Sequence, residues 1–559
     1  MAEDEPGQDR SEPIPESAAA PAGESEGAQD SAPEPYSEPP AESHAESHSE
    51  PHGNDRGDPK GTLRRPAGRR LVLAGARGAV GLVGIGLAIA TVSAATVLPI
   101  PVLGTGATST VVNPVAATQQ RICPGPVLRL GDDAGQEATT AISLGRADVE
   151  RASTRGTPAL ENLAPTGNAA NTPSERLVLD PAAAGEDPGL LAGSQSQYVD
   201  APDYVGFAAT DCAVPSSESW LVGGSTVTGR TTLLELNNPS KVAALVGVTV
   251  FSETGTIQAA GTDGILVPAG GQHILSLAGF APGIASPVVK VISEGGQVTA
   301  HLQESIVRTL DPGGVDLVGT TTRPSTVTVI PGIVVADHET IEAAAGLQGY
   351  QDIQGVLRVL VPGDPGDGST SVTVSVISED ASSPTSEATI TVDTGRVADV
   401  PLGDFAAGTY TIVVTTEAPA VAAIRTSAVT LAAAASAGAE PTVAATDLAW
   451  FVGAPELRDR ALVSTAPGPQ PMVHLVNTGT AEAVVTLEPI SGGGAGNTVT
   501  IAAGGAVAVP VTDGRSYLLS GFDSLRASVS YQGDGRLAGF VTHPQERLAQ
   551  PVTVYHQFG

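Results

Sequence analysis

Residues 233–250 read LLELNNPSKVAALVGVTV, an alternating segment, a turn at Leu236-Asn237-Asn238-Pro239, and a second alternating run through Val246, Val248 and Val250. Period-2 alternation around a short Asn-Pro turn signals paired strands. Val suits a pleated, half-buried surface, and Pro removes a ladder donor at a strand end. The same order returns at 473–487, VHLVNTGTAEAVVTL, with the turn at Val476-Asn477-Thr478-Gly479 and the second run at Val485 and Leu487. Gly-Gly turns follow in both places, Val267-Pro268-Ala269-Gly270-Gly271 and Ile501-Ala502-Ala503-Gly504-Gly505. Each copy is headed by a Trp motif, Trp220-Leu221-Val222-Gly223-Gly224 or Trp450-Phe451-Val452-Gly453-Ala454. Each closes on Gly296-Gln297-Val298 or Gly535-Arg536-Leu537.

A third copy without Trp lies between them, from Leu357-Arg358-Val359 through Val372, Val374 and Val376 to Gly408-Thr409-Tyr410. Self-similarity at about 80–100 residues with strand periodicity predicts a mainly β protein of tandem Ig-like antiparallel β-sandwich domains. Their expected bounds are 216–310, 325–430 and 446–550, standing in a row with linkers near 309–329 and 431–445. Trp220 and Trp450 are read as structural core residues in matching positions. A sugar-stacking platform is the competing reading for an indole.

Composition agrees. The 559 residues include 66 Gly and 44 Pro, only 3% are aromatic, and the formal charge is −32. Such acidity excludes a nucleic-acid binder, which needs a basic footprint. Residues 1–62 form an acidic, Pro/Ser/Ala-rich tail, expected to be disordered and cytoplasmic because it has too little apolar surface to offset chain entropy. Its histidines His44, His48 and His52 are read as incidental. A basic juxtamembrane segment follows at 63–77, with Arg64, Arg65, Arg69, Arg70 and Arg77 as membrane-flanking residues. No charged residue then appears until Arg121. The stretch 79–100, AVGLVGIGLAIATVSAATVLPI, is long enough to span a bilayer, so 78–104 is read as a transmembrane helix. Cations at its N-terminal end alone place that end in the cytoplasm, and they also suit anionic lipid. A cleaved export signal ending near Val92-Ser93-Ala94 is the alternative, although a long acidic leader is unusual for one.

The two cysteines, Cys123 and Cys212, both lie beyond this segment. An exported domain favours a disulfide between them. Closing about 90 residues would contribute roughly 4–5 kcal/mol in the chain-entropy model. The surrounding region, 105–215, reads as an irregular, β-rich membrane-proximal segment.

Catalytic chemistry is hard to find. There is no G-x-S-x-G, P-loop, H-E-x-x-H or C-x-x-C pattern. The Gly223–Gly229 stretch lacks a Lys and reads as a turn. Asp364-Pro365-Gly366-Asp367-Gly368 reads as a hairpin turn rather than a Ca²⁺ loop, and Asp337-His338-Glu339 as a solvated segment. The histidines His273, His301, His338, His474, His543 and His556 show no ligand spacing. The expectation is therefore no enzyme, no metal and no cofactor.

The order of features resembles the DUF5719 family of actinobacterial membrane-anchored envelope proteins. It is carried by the basic flank, one apolar span, Cys123-Pro124-Gly125-Pro126, Ala209-Thr210-Asp211-Cys212-Ala213-Val214-Pro215, and the two Trp motifs. The resemblance covers about residues 110–545. That family's function is unknown, and it brings no catalytic residues to this chain. What it implies is envelope assembly. The resulting expectation is a non-catalytic, single-pass, extracytoplasmic protein that scaffolds or assists cell-wall glycan assembly. Its expected partners are membrane lipid and a membrane glycosyltransferase or the cell-wall glycan. The alternative is a glycan-binding or adhesion module.

Overall fold

The computed structural model describes residues 109–112, 118–131, 140–544 and 552–555, apart from 166–168, 171–173, 181–186, 188, 310, 381–385, 433–440 and 491–492. The acidic tail, the basic segment with its five arginines, the span at 78–104 and His556 lie outside the described residues. Among those that are described, no helix is long and apolar enough to cross a membrane. The chain is mainly β, its sheets overwhelmingly antiparallel, and among the described residues there is one α-helix, His338–Ala345.

The copies share one pairing scheme. A first strand (Glu218–Val222, Ser325–Val335 or Leu457–Thr465) and a third (Ala244–Ser252, Ser369–Ser378 or Ala483–Pro489) flank the N-terminal half of a long strand. The second strand (Arg230–Asn238, Val356–Leu360 or Met472–Asn477) pairs with its C-terminal half. So does a last strand, Asp311–Val318, Thr442–Val452 or Arg536–Val541. The long strand is continuous in two copies, Gly408–Ala432 and Arg515–Gly533. In the first it breaks into Val288–Gly295 and Thr299–Arg308.

The turns that announced the repeat are equivalent in detail. Asn238 Nδ2 donates to the carbonyls of Val242 and Val267, and Asn477 Nδ2 to those of Ala481 and Ile501. Gly270 and Gly504 both take φ near +70° (65° and 71°), where L side chains are strained. Their N–H groups donate to Ser240 and Asn477 respectively.

Four sequence expectations need correction. The stretches read as linkers contain the last strands of the first two copies, Asp311–Val318 and the start of Thr442–Val452, so each copy extends past its expected end. Gly296-Gln297-Val298 is the break in the first copy's long strand, whereas Gly535-Arg536-Leu537 is the turn into a last strand. The two Trp motifs are also not equivalent. Both indoles are buried, 3% and 1% exposed, but Trp220 lies on a first strand and Trp450 on the last strand of the middle copy.

The copies do not stand in a row either. Residues 105–559 form a single unit, in which the last strands and Tyr204–Asp211 pack in a closed cycle of four. The region 105–215 thus supplies the fourth inner strand, through the hairpin of Leu191–Ala201 with Tyr204–Asp211. The hydrophobic cores follow this closure. Phe207 packs into the third copy's core, Phe451 and Leu537 into the middle one, and Trp450 and Val452 into the first. Ser109–Val112 pairs with Val552–Tyr555, so the unit's first and last strands are clasped together.

Candidate functional site

At the centre of the four-strand cycle sits Asp447, 1% exposed. Its Oδ2 accepts from the backbone N–H of Phe207 (2.9 Å) and Leu537 (3.2 Å), and its Oδ1 from Val315 (3.3 Å) and Leu448 (3.1 Å). One carboxyl therefore ties all four inner strands. Burial pushes its pKa up to about 8, against the pull of these donors toward the charged form. Glycines make room for it. A Cβ on Gly206 would lie 2.8 Å from Asp447 Oδ1 and 2.8 Å from the Val315 nitrogen.

The seams between copies are held by buried charge. Trp450 donates from Nε1 to Glu304 (2.7 Å) and from its backbone N to Asp316 (2.7 Å). The guanidinium groups of Arg358 and Arg425 lie over its ring at 4.6 and 5.9 Å. Arg358 is bidentate on Asp399 (2.8 and 2.9 Å) and also reaches the carbonyl of Gly224 in the first copy. Burial raises the Asp399 pKa, but Arg358 outweighs it and holds the carboxyl below its usual range.

Between the second and third copies, Glu379 meets His474 Nδ1 (2.5 Å), and His474 Nε2 meets Ser530 Oγ (2.7 Å). This acid–imidazole–hydroxyl order has the connectivity of a nucleophilic triad. Glu379 and His474 have no side-chain exposure and Ser530 is only 2% exposed. The group therefore serves as a seam.

At the seam between the N-terminal region and the first copy, the Cys-Pro-Gly-Pro segment is sandwiched and gripped by glutamines. Gln195 exchanges two hydrogen bonds with Gly125, Gln303 exchanges two with Leu128, and Gln197 accepts from Val127. The Cys123–Cys212 disulfide, with both cysteines buried, pins this segment to the strand entering the first copy.

One open cleft lies where the four inner strands end. Its volume is about 420 Å³, and its walls come from the segments that follow each of those strands, 214–220, 320–323, Pro455 and His543–Pro544, together with Gln297. His543 Nδ1 donates to Asp211 Oδ2 (2.9 Å), which leaves Nε2 facing Thr320 Oγ1 at 3.5 Å. Burial raises the Asp211 pKa, yet His543 outweighs it and keeps the carboxyl below its ordinary value. Also in the lining, Glu218 accepts from Trp220 Nε1 (3.0 Å) and is shared by Lys290 and Arg323, each at 3.8 Å. Trp220 itself stacks on Phe251 at 5.8 Å and carries Lys290 over its face.

The remaining sequence candidates are dispersed. Asp337 caps the helix His338–Ala345 by accepting from the Thr340 N–H, and His338 sits at the surface near Glu342 and Asp404. The Asp364–Gly368 stretch is a surface turn closed between Asp364 and Asp367. Gly223–Gly229 is a loop held to Thr232. Among the described residues no three His, Cys, Asp or Glu side chains gather to hold a metal. Sequence reasoning missed the buried acids Glu235, Glu304, Asp316, Glu379 and Asp447. Their one legible trace is a carboxylate in an otherwise apolar strand, as in Leu233-Leu234-Glu235-Leu236 and Asp447-Leu448-Ala449-Trp450.

The model of the DUF5719 family, a family of unknown function, matches residues 166–512, and the chain belongs to that family. No curated protein and no solved structure matches it.

Proposed function

We propose that this DUF5719 chain is a non-catalytic, membrane-anchored extracytoplasmic envelope protein that scaffolds or assists cell-wall glycan assembly. The observation that carries the reading is the buried Cys123–Cys212 disulfide, which belongs in an oxidising compartment. The uncharged stretch 78–120 behind a basic flank supports a single-pass anchor with a cytoplasmic N-terminus. Scaffolding is supported by how the titratable groups are used. Arg358–Asp399, Glu379–His474 and Asp447 join one element to another. We read each copy as an Ig-like β-sandwich unit: in the first copy the first and third strands form one sheet and the second and last strands another, and in the other two copies the two halves of one continuous long strand carry the same two sets.

A membrane glycosyltransferase is the proposed partner. Co-purification of the full chain from gently solubilised membranes tests this. Recovery of such an enzyme supports the scaffold, and recovery of the chain alone from membranes that contain one removes it. A second reading, a glycan-binding module, is favoured by one observation, the open cleft at the ends of the inner strands. Retention of the chain on isolated cell wall is its test.

A further inference from the structure

We propose that this cleft binds a small sugar acid, a hydroxylated ring bearing one carboxylate or phosphate. The proposal rests on the glycan-binding reading and names the chemistry of the ligand. Its volume of about 420 Å³ lies within the range of small-molecule sites. Its position also matters: all four inner strands end at it, so a ligand there is framed by backbone fixed from four sides.

The chemistry of the walls selects the ligand. Arg323 stands 63% exposed and approaches Glu218 only at 3.8 Å. Glu218 is already shared with Lys290 and with the Trp220 indole, so the guanidinium keeps donor capacity for an anion. His543 is oriented by Asp211 through Nδ1 and presents Nε2 toward Thr320, on the cleft wall. Ser217, Ser219 and Thr320 line the same space and bring hydroxyl groups that suit a polyol. Pro215, Pro455 and Pro544 add apolar surface for the C–H face of a ring. Arg323 is the exposed cation of this lining and favours an anionic group on the ligand.

The test is isothermal titration of the full chain in detergent micelles with glucuronate, glucose 6-phosphate and, as the neutral comparison, glucose. The expected result is that glucuronate or glucose 6-phosphate binds at least tenfold more tightly than glucose, the better arm identifying carboxylate or phosphate. Arg323→Ala should weaken that binding about tenfold or more, the loss of one charge-assisted contact. Arg458→Ala, which removes an exposed arginine paired with Glu456 outside the cleft, should leave it unchanged. Equal binding of glucose, indifference to Arg323→Ala, or no heat from either acid overturns the proposal. Retention on cell wall alongside any of those results would leave the glycan-binding reading standing and this ligand class rejected.

Discussion

Replacing Asp447 by Leu should destabilise the whole ring. The carboxyl accepts from Phe207, Val315 and Leu537, three residues on three different neighbouring strands, each no more than 1% exposed. Leu fills similar space but accepts nothing, so these three cross-strand N–H groups lose their partner, as does the N–H of the adjacent Leu448. Each orphaned cross-strand donor costs about 1–3 kcal/mol, giving roughly 3–9 kcal/mol. Removing a carboxyl whose burial raises its pKa to about 8 returns part of that. A net loss of roughly 2–6 kcal/mol is expected. Asp447→Asn keeps one acceptor oxygen and should fall between, at about 1–3 kcal/mol. Guanidinium unfolding of the purified chain, followed by far-UV circular dichroism, reads both values at fixed pH. A loss under 1 kcal/mol for Asp447→Leu would refute the idea that this carboxyl ties the strands together.

Glu235 has burial alone acting on its pKa, which it raises to about 8, above the unfolded value near 4. The folded state therefore binds the extra proton, and its stabilisation is full below the unfolded pKa and lost as pH rises toward 8. Glu235→Gln should thus gain stability relative to the parent between pH 5 and 8; a pH-independent difference would contradict it. Glu379→Ala, which leaves His474 buried without its partner, should cost about 3–5 kcal/mol, whereas a loss within 0.5 kcal/mol would deny that the pair joins the second and third copies. Reducing or removing the Cys123–Cys212 bridge, which spans 89 residues, should cost about 4–5 kcal/mol less any strain relieved. Unchanged proteolysis of the Cys-Pro-Gly-Pro segment in a Cys212→Ser variant would show that the glutamines hold it unaided. Gly206→Ala should lower the melting temperature by several degrees, because its Cβ would meet the Val315 nitrogen at 2.8 Å; an unchanged melting temperature would show that the inner strands are not in close contact there.

The repeat was legible because its signals are local. Asn238 and Asn477 bond to their own turns, and Gly270 and Gly504 adopt a backbone that few other residues accept. The last strands were hidden for the opposite reason. Asp311-Pro312-Gly313-Gly314 looks like a linker, yet those residues begin an inner strand, where small residues let Gly314 approach Asp447 and Leu448. Trp450 was legible as buried but not as to where, because burial does not reveal which neighbour supplies the cover. Its cover is Arg358, Arg425 and the first copy's Glu304, all distant in sequence. The candidate cleft was equally out of reach, since its walls come from five segments between residues 214 and 544 that only ring closure assembles. Asp211 and His543, its one oriented acid–imidazole pair, are 332 residues apart.

Differential scanning calorimetry of the full chain tests most directly whether the copies and the N-terminal hairpin form one closed body. Shared cores and inner strands joined through Asp447 should unfold together. The account predicts one endotherm whose calorimetric and van't Hoff enthalpies agree, shifted as a whole to lower temperature by Asp447→Leu. Three separable transitions, with that substitution moving only the one containing residue 447, would contradict it and restore independent domains in a row.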